Sequence, residues 1–82
     1  VVSGRLAASG QIFGPVIGAW WHAGEYGEGE EWVVLMKTSA ARYPELERHL
    51  LEAHPWDNPE ITTYPIGGPT PYLEWITKST TP

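Results

Sequence analysis

Few side chains in this sequence could do chemistry. Its 82 residues hold three histidines, ten carboxylates, five Lys or Arg and no cysteine. His54 is the best placed imidazole. It falls at the end of a helical pattern, where the helix dipole favours a protonated ring and the last carbonyls accept its protons. That capping role competes with a ligand-binding one. Glu60 follows a proline and can pair with Lys37 or His54 across strands, or stay an ordinary solvated carboxylate. His22 and Glu25 together offer an imidazole and a carboxylate to a borderline metal ion. Two ligands do not complete a site, so a plain surface histidine is the competing reading. His49 should face solvent from its helix. Tyr72 and Trp75 could form a ligand platform or simply fill a core.

Much other chemistry is excluded. Without thiols there is no disulfide, iron–sulfur cluster or thiolate metal site, and a cytosolic setting is permitted. Ser3, Ser9, Ser39 and Ser79 lack the sharp strand-to-helix context of a nucleophile. No glycine motif cradles phosphate. We therefore expect a binding protein and not an enzyme. The net charge is −5 and the basic residues are scattered. Nucleic acid and anionic membrane surfaces are poor partners for such a chain. No apolar run approaches the roughly 18 residues of a membrane helix, and no signal peptide is visible. Glu25, Glu28, Glu30 and Glu31 crowd between two apolar runs and read as a solvated hairpin tip. They lack the alternating ligand spacing of a calcium loop.

The elements that must position these residues fit one domain over residues 1–82. Five Trp and four Tyr argue for a folded chain. A chain this short buries a modest core, which makes self-association a source of further burial. Val1, Val2, Arg5 and Leu6 fit the last turn of a helix. Residues 11–21 are apolar and β-prone, predicting a strand bent at Gly14-Pro15. Residues 23–29 carry three glycines and read as the hairpin connection. Trp32-Val33-Val34-Leu35-Met36 predicts a strand covered on both faces. A helix should follow, capped by Thr38 or Ser39, with Tyr43, Leu46, Leu50 and Ala53 on one face. Pro44 fits only its first turn, and Pro55 stops it. Residues 61–66 predict a third strand, with Pro65 at an edge. Thr70 is expected to cap a short helix in which Tyr72, Trp75 and Ile76 share a face. Residues 79–82 read as a frayed tail. Hairpin, crossover helix and third strand make most of an α+β, ferredoxin-like (split βαβ) sandwich.

The order and gaps of several short motifs carry a resemblance. They are Arg5-Leu6-Ala7-Ala8, Trp20-Trp21 before Gly24, Lys37-Thr38, His54-Pro55-Trp56, Pro59-Glu60-Ile61, Pro65-Ile66 and Tyr72-Leu73-Glu74-Trp75-Ile76. With them the chain resembles the CutA divalent-cation tolerance family nearly end to end. The resemblance implies a ferredoxin-like subunit in a tight homotrimer, similar in architecture to PII signalling proteins. It implies a cytoplasmic protein linked to divalent metal tolerance, copper especially, that binds a metal ion or small ligand where subunits meet. Lys37, His54, Glu60, Tyr72 and Trp75 are the expected ligand contacts, and His22 and His54 the expected metal ligands. The alternative is a PII-like regulatory module acting on a protein partner. Three departures stand out. Ser9 occupies the place where the family usually has cysteine, so a thiol copper site is unavailable there. His22-Ala23-Gly24 replaces a common Trp-Glu-Gly. The family's first strand and most of its first helix have no counterpart, so a longer native chain is expected.

Overall fold

The β-branched and aromatic residues of the first forty positions fold into one long ribbon. A computed structural model describes residues 1–54 and 58–82. The ribbon consists of β1 (Ser9–His22) and β2 (Glu25–Lys37), paired antiparallel from Ser9 opposite Lys37 to His22 opposite Glu25. The helices α1 (Tyr43–Ala53) and α2 (Thr70–Ser79) follow.

The hairpin turn is shorter than residues 23–29. Only Ala23 and Gly24 make it, with φ of 51° and 80°. Two successive positive φ values are those of a type I′ turn, whose twist matches the strands it joins. Glu25, Glu28, Glu30 and Glu31 therefore stand on β2 and not in a loop tip, which corrects that expectation. Gly27 and Gly29 are glycines for a different reason. The Trp20 indole lies across them, and a Cβ on Gly27 would come 2.5 Å from Trp20 Nε1. Trp20 and Trp21 occupy opposite faces, as strand alternation requires. Neither is covered, however: they are 40% and 73% exposed. The bend at Gly14-Pro15 is a bulge. Those two residues oppose Trp32 alone, between the pairs Phe13–Val33 and Val16–Glu31.

Residues 1–6 carry the hydrogen bonds of a helix C-terminus. Leu6 N–H donates to the Val1 carbonyl and Arg5 N–H to the Val2 carbonyl, each at 3.0 Å, and Arg5 has φ 61°. That 6→1 and 5→2 pair with a left-handed residue is the Schellman closure. Neither Thr38 nor Ser39 is the N-cap of α1, which is Arg42 with no side-chain capping bond; Ser39 Oγ accepts from Arg42 N–H at 3.3 Å in the turn that leads into the helix. Thr38 is used elsewhere. Helix α1 ends where His54 takes φ −76°, ψ 136°, the extended region forced on a residue before proline. Pro55 and Trp56 lie outside the described residues.

Four expectations about the C-terminal third are corrected. Residues 61–66 join no sheet. Their β-prone side chains favour a strand, but a strand needs a neighbour, and none of the described residues pairs with them. Thr70 makes no capping bond; it is the first residue of α2, and Pro69 holds the N-cap position. The inward stripe of α2 is Leu73, Ile76 and Thr80, while Tyr72 and Trp75 are 42% and 44% exposed. The i, i+3, i+7 spacing outweighs ring size here. Nor is the tail frayed at its start: Ser79 closes α2 and Thr80 is buried.

A small junction ties these parts together. Ala8 N–H donates to the Lys37 carbonyl at 2.7 Å, and Thr38 Oγ1 to the Leu6 carbonyl at 2.8 Å. Arg42 Nε donates to the Arg5 carbonyl at 3.1 Å, and the Ser39 and Thr80 hydroxyls share a bond of 3.0 Å. Among the described residues, Ala7, Ala8, Leu46 and Ile76 are the buried apolar ones. The molecule is long, 45 × 26 × 19 Å, and fourteen β residues at roughly 3.3 Å each account for the long axis.

Gly14 offers a direct check on the bulge. Its φ is 143°, and a Cβ there would sit 2.9 Å from the Glu31 carbonyl oxygen. We expect Gly14→Ala to lower stability by about 1–3 kcal/mol in urea unfolding. An unchanged midpoint would refute the crowded bulge.

Candidate functional site

A groove of about 1330 Å³ is bounded by β2, α1, residues 60–66 and α2. Residues 30–37 of β2 and residues 60–66 line it, and Tyr43, Leu50, Leu73 and Ile76 give it an apolar lining. The sequence explains this surface. Leu46 and Leu50 lie four apart on α1, and Leu73 and Ile76 lie three apart on α2, so each helix turns one stripe inward.

The groove brings together some of the expected site residues. Lys37, His54 and Glu60 all line it. They do not converge on one point. Lys37 ends β2, just before the chain turns into α1, and His54 follows the other end of α1. Eleven helical residues at 1.5 Å each set these ends roughly 16 Å apart. Among the described residues no ion pair joins Lys37 to Glu60; the one ion pair there is Arg42–Glu45, at 2.7 Å. His54 is half-buried, and its backbone N–H donates to the Leu50 carbonyl at 2.9 Å. Tyr72 and Trp75 are outside the groove lining, on the exposed side of α2, with ring centroids 5.6 Å apart.

His22 sits at the far end of the ribbon, directly opposite Glu25 in the ladder. The expected imidazole–carboxylate pair is thus brought side by side, away from the groove. Among the described residues no three His, Asp or Glu side chains gather closely enough to hold a metal ion. The described residues of one chain therefore supply an incomplete ligand set for a four-coordinate ion. His49 is exposed on α1, as expected.

Two tyrosines hold their protons more tightly than usual. The Tyr43 hydroxyl donates to Glu47 Oε2 at 2.5 Å. That bond, with lesser contributions from desolvation and the Glu47 charge, raises the Tyr43 pKa. Tyr26 on β2 is raised chiefly by its hydrogen bond with Glu28, two residues on along the same strand face. Sequence reading placed Tyr43 only on the helix stripe. The i, i+4 spacing to Glu47 was the available signal for the pair.

Comparison with known proteins decides the family. Residues 1–79 match the model described as CutA1 divalent ion tolerance protein. The chain belongs to that family. A CutA homolog from Danio rerio is 33% identical over 82 residues, covering 99% of this chain and 55% of its own length. The chain thus spans little more than half of that relative. The solved divalent cation tolerance protein (Cut A1) of Thermus thermophilus superposes with a TM-score of 0.91 at 33% identity. The match covers 98% of this chain and 79% of that one. The PII-like protein CutA from Nostoc superposes at 0.90 with 22% identity, covering 98% and 79% of the two chains. That last likeness concerns fold alone. The CutA fold is the α+β, ferredoxin-like class expected from the order of elements. Against the family pattern, Ser9 opens β1 opposite Lys37, half-buried.

The Tyr43–Glu47 bond gives a titration with a defined sign. A raised folded pKa means the pair supports the fold at neutral pH and loses that support as pH rises through the raised value. Glu47→Gln should move the onset of Tyr43 phenolate absorbance to lower pH, with Tyr43→Phe identifying the signal. An unmoved onset would show that the bond is absent in solution.

Proposed function

We propose that this chain works as a homotrimeric divalent-ion tolerance protein that binds a metal ion or small ligand where its subunits meet. The observation that carries the reading is surface. The chain exposes 6546 Å², whereas a monomeric protein of its 9.1 kDa mass exposes about 4,900 Å². The excess is apolar in good part: Ile17 is 87% exposed, and Trp32, Val34, Tyr64, Tyr72 and Trp75 are also open. Patches of this kind are covered by partners. A second copy is the simplest partner for a ribbon with large side chains on both faces.

The incomplete His22–Glu25 pair also favours an interface site, since other subunits would have to supply the remaining ligands. Lys37, His54, Glu60, Tyr72 and Trp75 are the proposed small-ligand contacts, with His54 a further proposed metal ligand. Copper is the proposed ion. The protein is proposed to bind and not to catalyse, to act in the cytoplasm, and to take neither nucleic acid nor a membrane as partner. No described helix is long and apolar enough to cross a membrane. The 82 residues are proposed to be one domain lacking the family's first strand. The second reading, a PII-like module regulating a protein partner, draws support from the fold it shares with the Nostoc protein.

Light scattering should give three times the chain mass at micromolar concentration; a stable monomer there would overturn the trimer. Calorimetric titration with copper(II), zinc and adenine nucleotides then separates the two readings. Metal binding without nucleotide binding favours the first, and the reverse favours the second. Lacking thiols, the chain should bind copper(I) more weakly than cysteine-bearing relatives.

A further inference from the structure

Trp21 and Tyr26 stand opposite each other near the tip of the ribbon. Their ring planes meet at 81°, with centroids 5.7 Å apart. In a core, other side chains would close over such a pair. Here the two residues are 73% and 56% exposed, so the rings form an open right-angled corner. The corner is held in place. The two-residue turn fixes the register beneath it. The Tyr26 side chain is hydrogen-bonded to Glu28, the next β2 residue on the same face. Ala19 stands opposite Glu28, so the β1 side beside Trp21 carries only a methyl group.

The charge around the corner has one sign. Residues 9–36 hold four glutamates and no Lys or Arg. Glu28 and Glu30 lie on the same face as the two rings. The one ion pair among the described residues, Arg42–Glu45, is at the start of α1. Aromatic faces attract cations through the ring quadrupole, and the carboxylates add to that attraction. An anion is repelled here, and a neutral apolar ligand leaves the carboxylate unused. A metal ion finds too few ligands, since no three His, Asp or Glu side chains gather among the described residues. A primary ammonium is compact and strongly hydrated, and so open a site does little to strip its water. An alkylated ammonium meets both surfaces. Its methyl groups rest on the ring faces while its charge is balanced by the carboxylate.

We propose that Trp21, Tyr26 and Glu28 form a binding site for a quaternary or methylated ammonium group. The two rings are its perpendicular walls, and Glu28 supplies the counter-charge. Trp20 takes no part, because it lies on the other face over Gly27 and Gly29. Free choline-type compounds and methylated lysine side chains both carry such a group. The site is separate from the ligand contacts proposed along the groove and does not depend on trimer formation.

The test is an NMR titration of the 82-residue chain at fixed ionic strength. The probes are choline, its uncharged isostere 3,3-dimethylbutan-1-ol, and a blocked trimethyllysine. The Trp21 indole N–H resonance, identified by its loss in Trp21→Leu, should move with both cations. The isostere should bind about fivefold more weakly or worse. The tighter of the two cations names the source of the group. Trp21→Leu keeps an apolar side chain on the strand and should also weaken binding about fivefold or more, read on the N-methyl protons of choline. Glu28→Gln keeps an acceptor for Tyr26 and removes the charge, so it should weaken binding and flatten its dependence on salt. The amide spectrum of the β1–β2 ladder checks that each variant is folded. Equal binding of the isostere, full affinity in folded Trp21→Leu, or a Trp21 resonance that ignores both cations would overturn the proposal.

Discussion

The fold hangs on one hydrogen-bonded junction. Four stretches meet there: residues 5–8, the end of β2, the approach to α1, and the end of α2. Each is tied to another by a bond between a backbone carbonyl and a donor, or between two hydroxyls. Small side chains make this possible. Ala7 and Ala8 are buried, and larger groups there would hold the backbones too far apart for bonds of 2.7 to 3.1 Å. Arg42 works in two directions at once, donating to the Arg5 carbonyl and pairing with Glu45. Since only four apolar residues are buried among the described ones, these polar links fix the geometry that a larger core would fix by packing.

From that junction the molecule splits into two surfaces of different character. The ribbon is apolar on both faces and self-supporting through its ladder. The groove is apolar at its floor and polar along its margins. This division explains how a CutA chain with so little interior can carry so many large apolar residues. Those residues lie largely exposed on these two surfaces.

Much of this was legible in the sequence where a single local rule decided the outcome. Gly14-Pro15 marked the bulge, Ser39 the turn into α1, Pro55 the stop that His54 obeys, and Arg5-Leu6 the helix closure. Misreadings came where the decisive partner was distant. Gly27 and Gly29 looked like loop residues because the Trp20 ring that lies over them comes from the other strand. Residues 61–66 looked like a strand because propensity does not register whether a neighbour exists. Thr80 looked like tail because its bond to Ser39 spans 41 residues. The candidate site fared similarly. Lys37, His54 and Glu60, expected as ligand contacts, line the groove, but their spread along α1 depends on chain direction, which composition does not encode. Tyr72 and Trp75 were chosen for their rings, and the smaller Leu73 and Ile76 took the inward positions.

The ribbon leaves and re-enters the body at one place, because Ser9 and Lys37 stand side by side. Residues 30–37 of β2 still line the groove, but everything beyond the Ile17–Glu30 pair is an appendage whose length is decoupled from the rest of the fold. Adding or deleting two residues on each strand would move the turn by roughly 7 Å and keep every side chain on its own face. A change of one residue per strand would instead exchange the two faces beyond the change, bringing Trp21 to the side now held by Trp20. Reach can therefore vary between relatives in steps of two, with the junction and groove untouched.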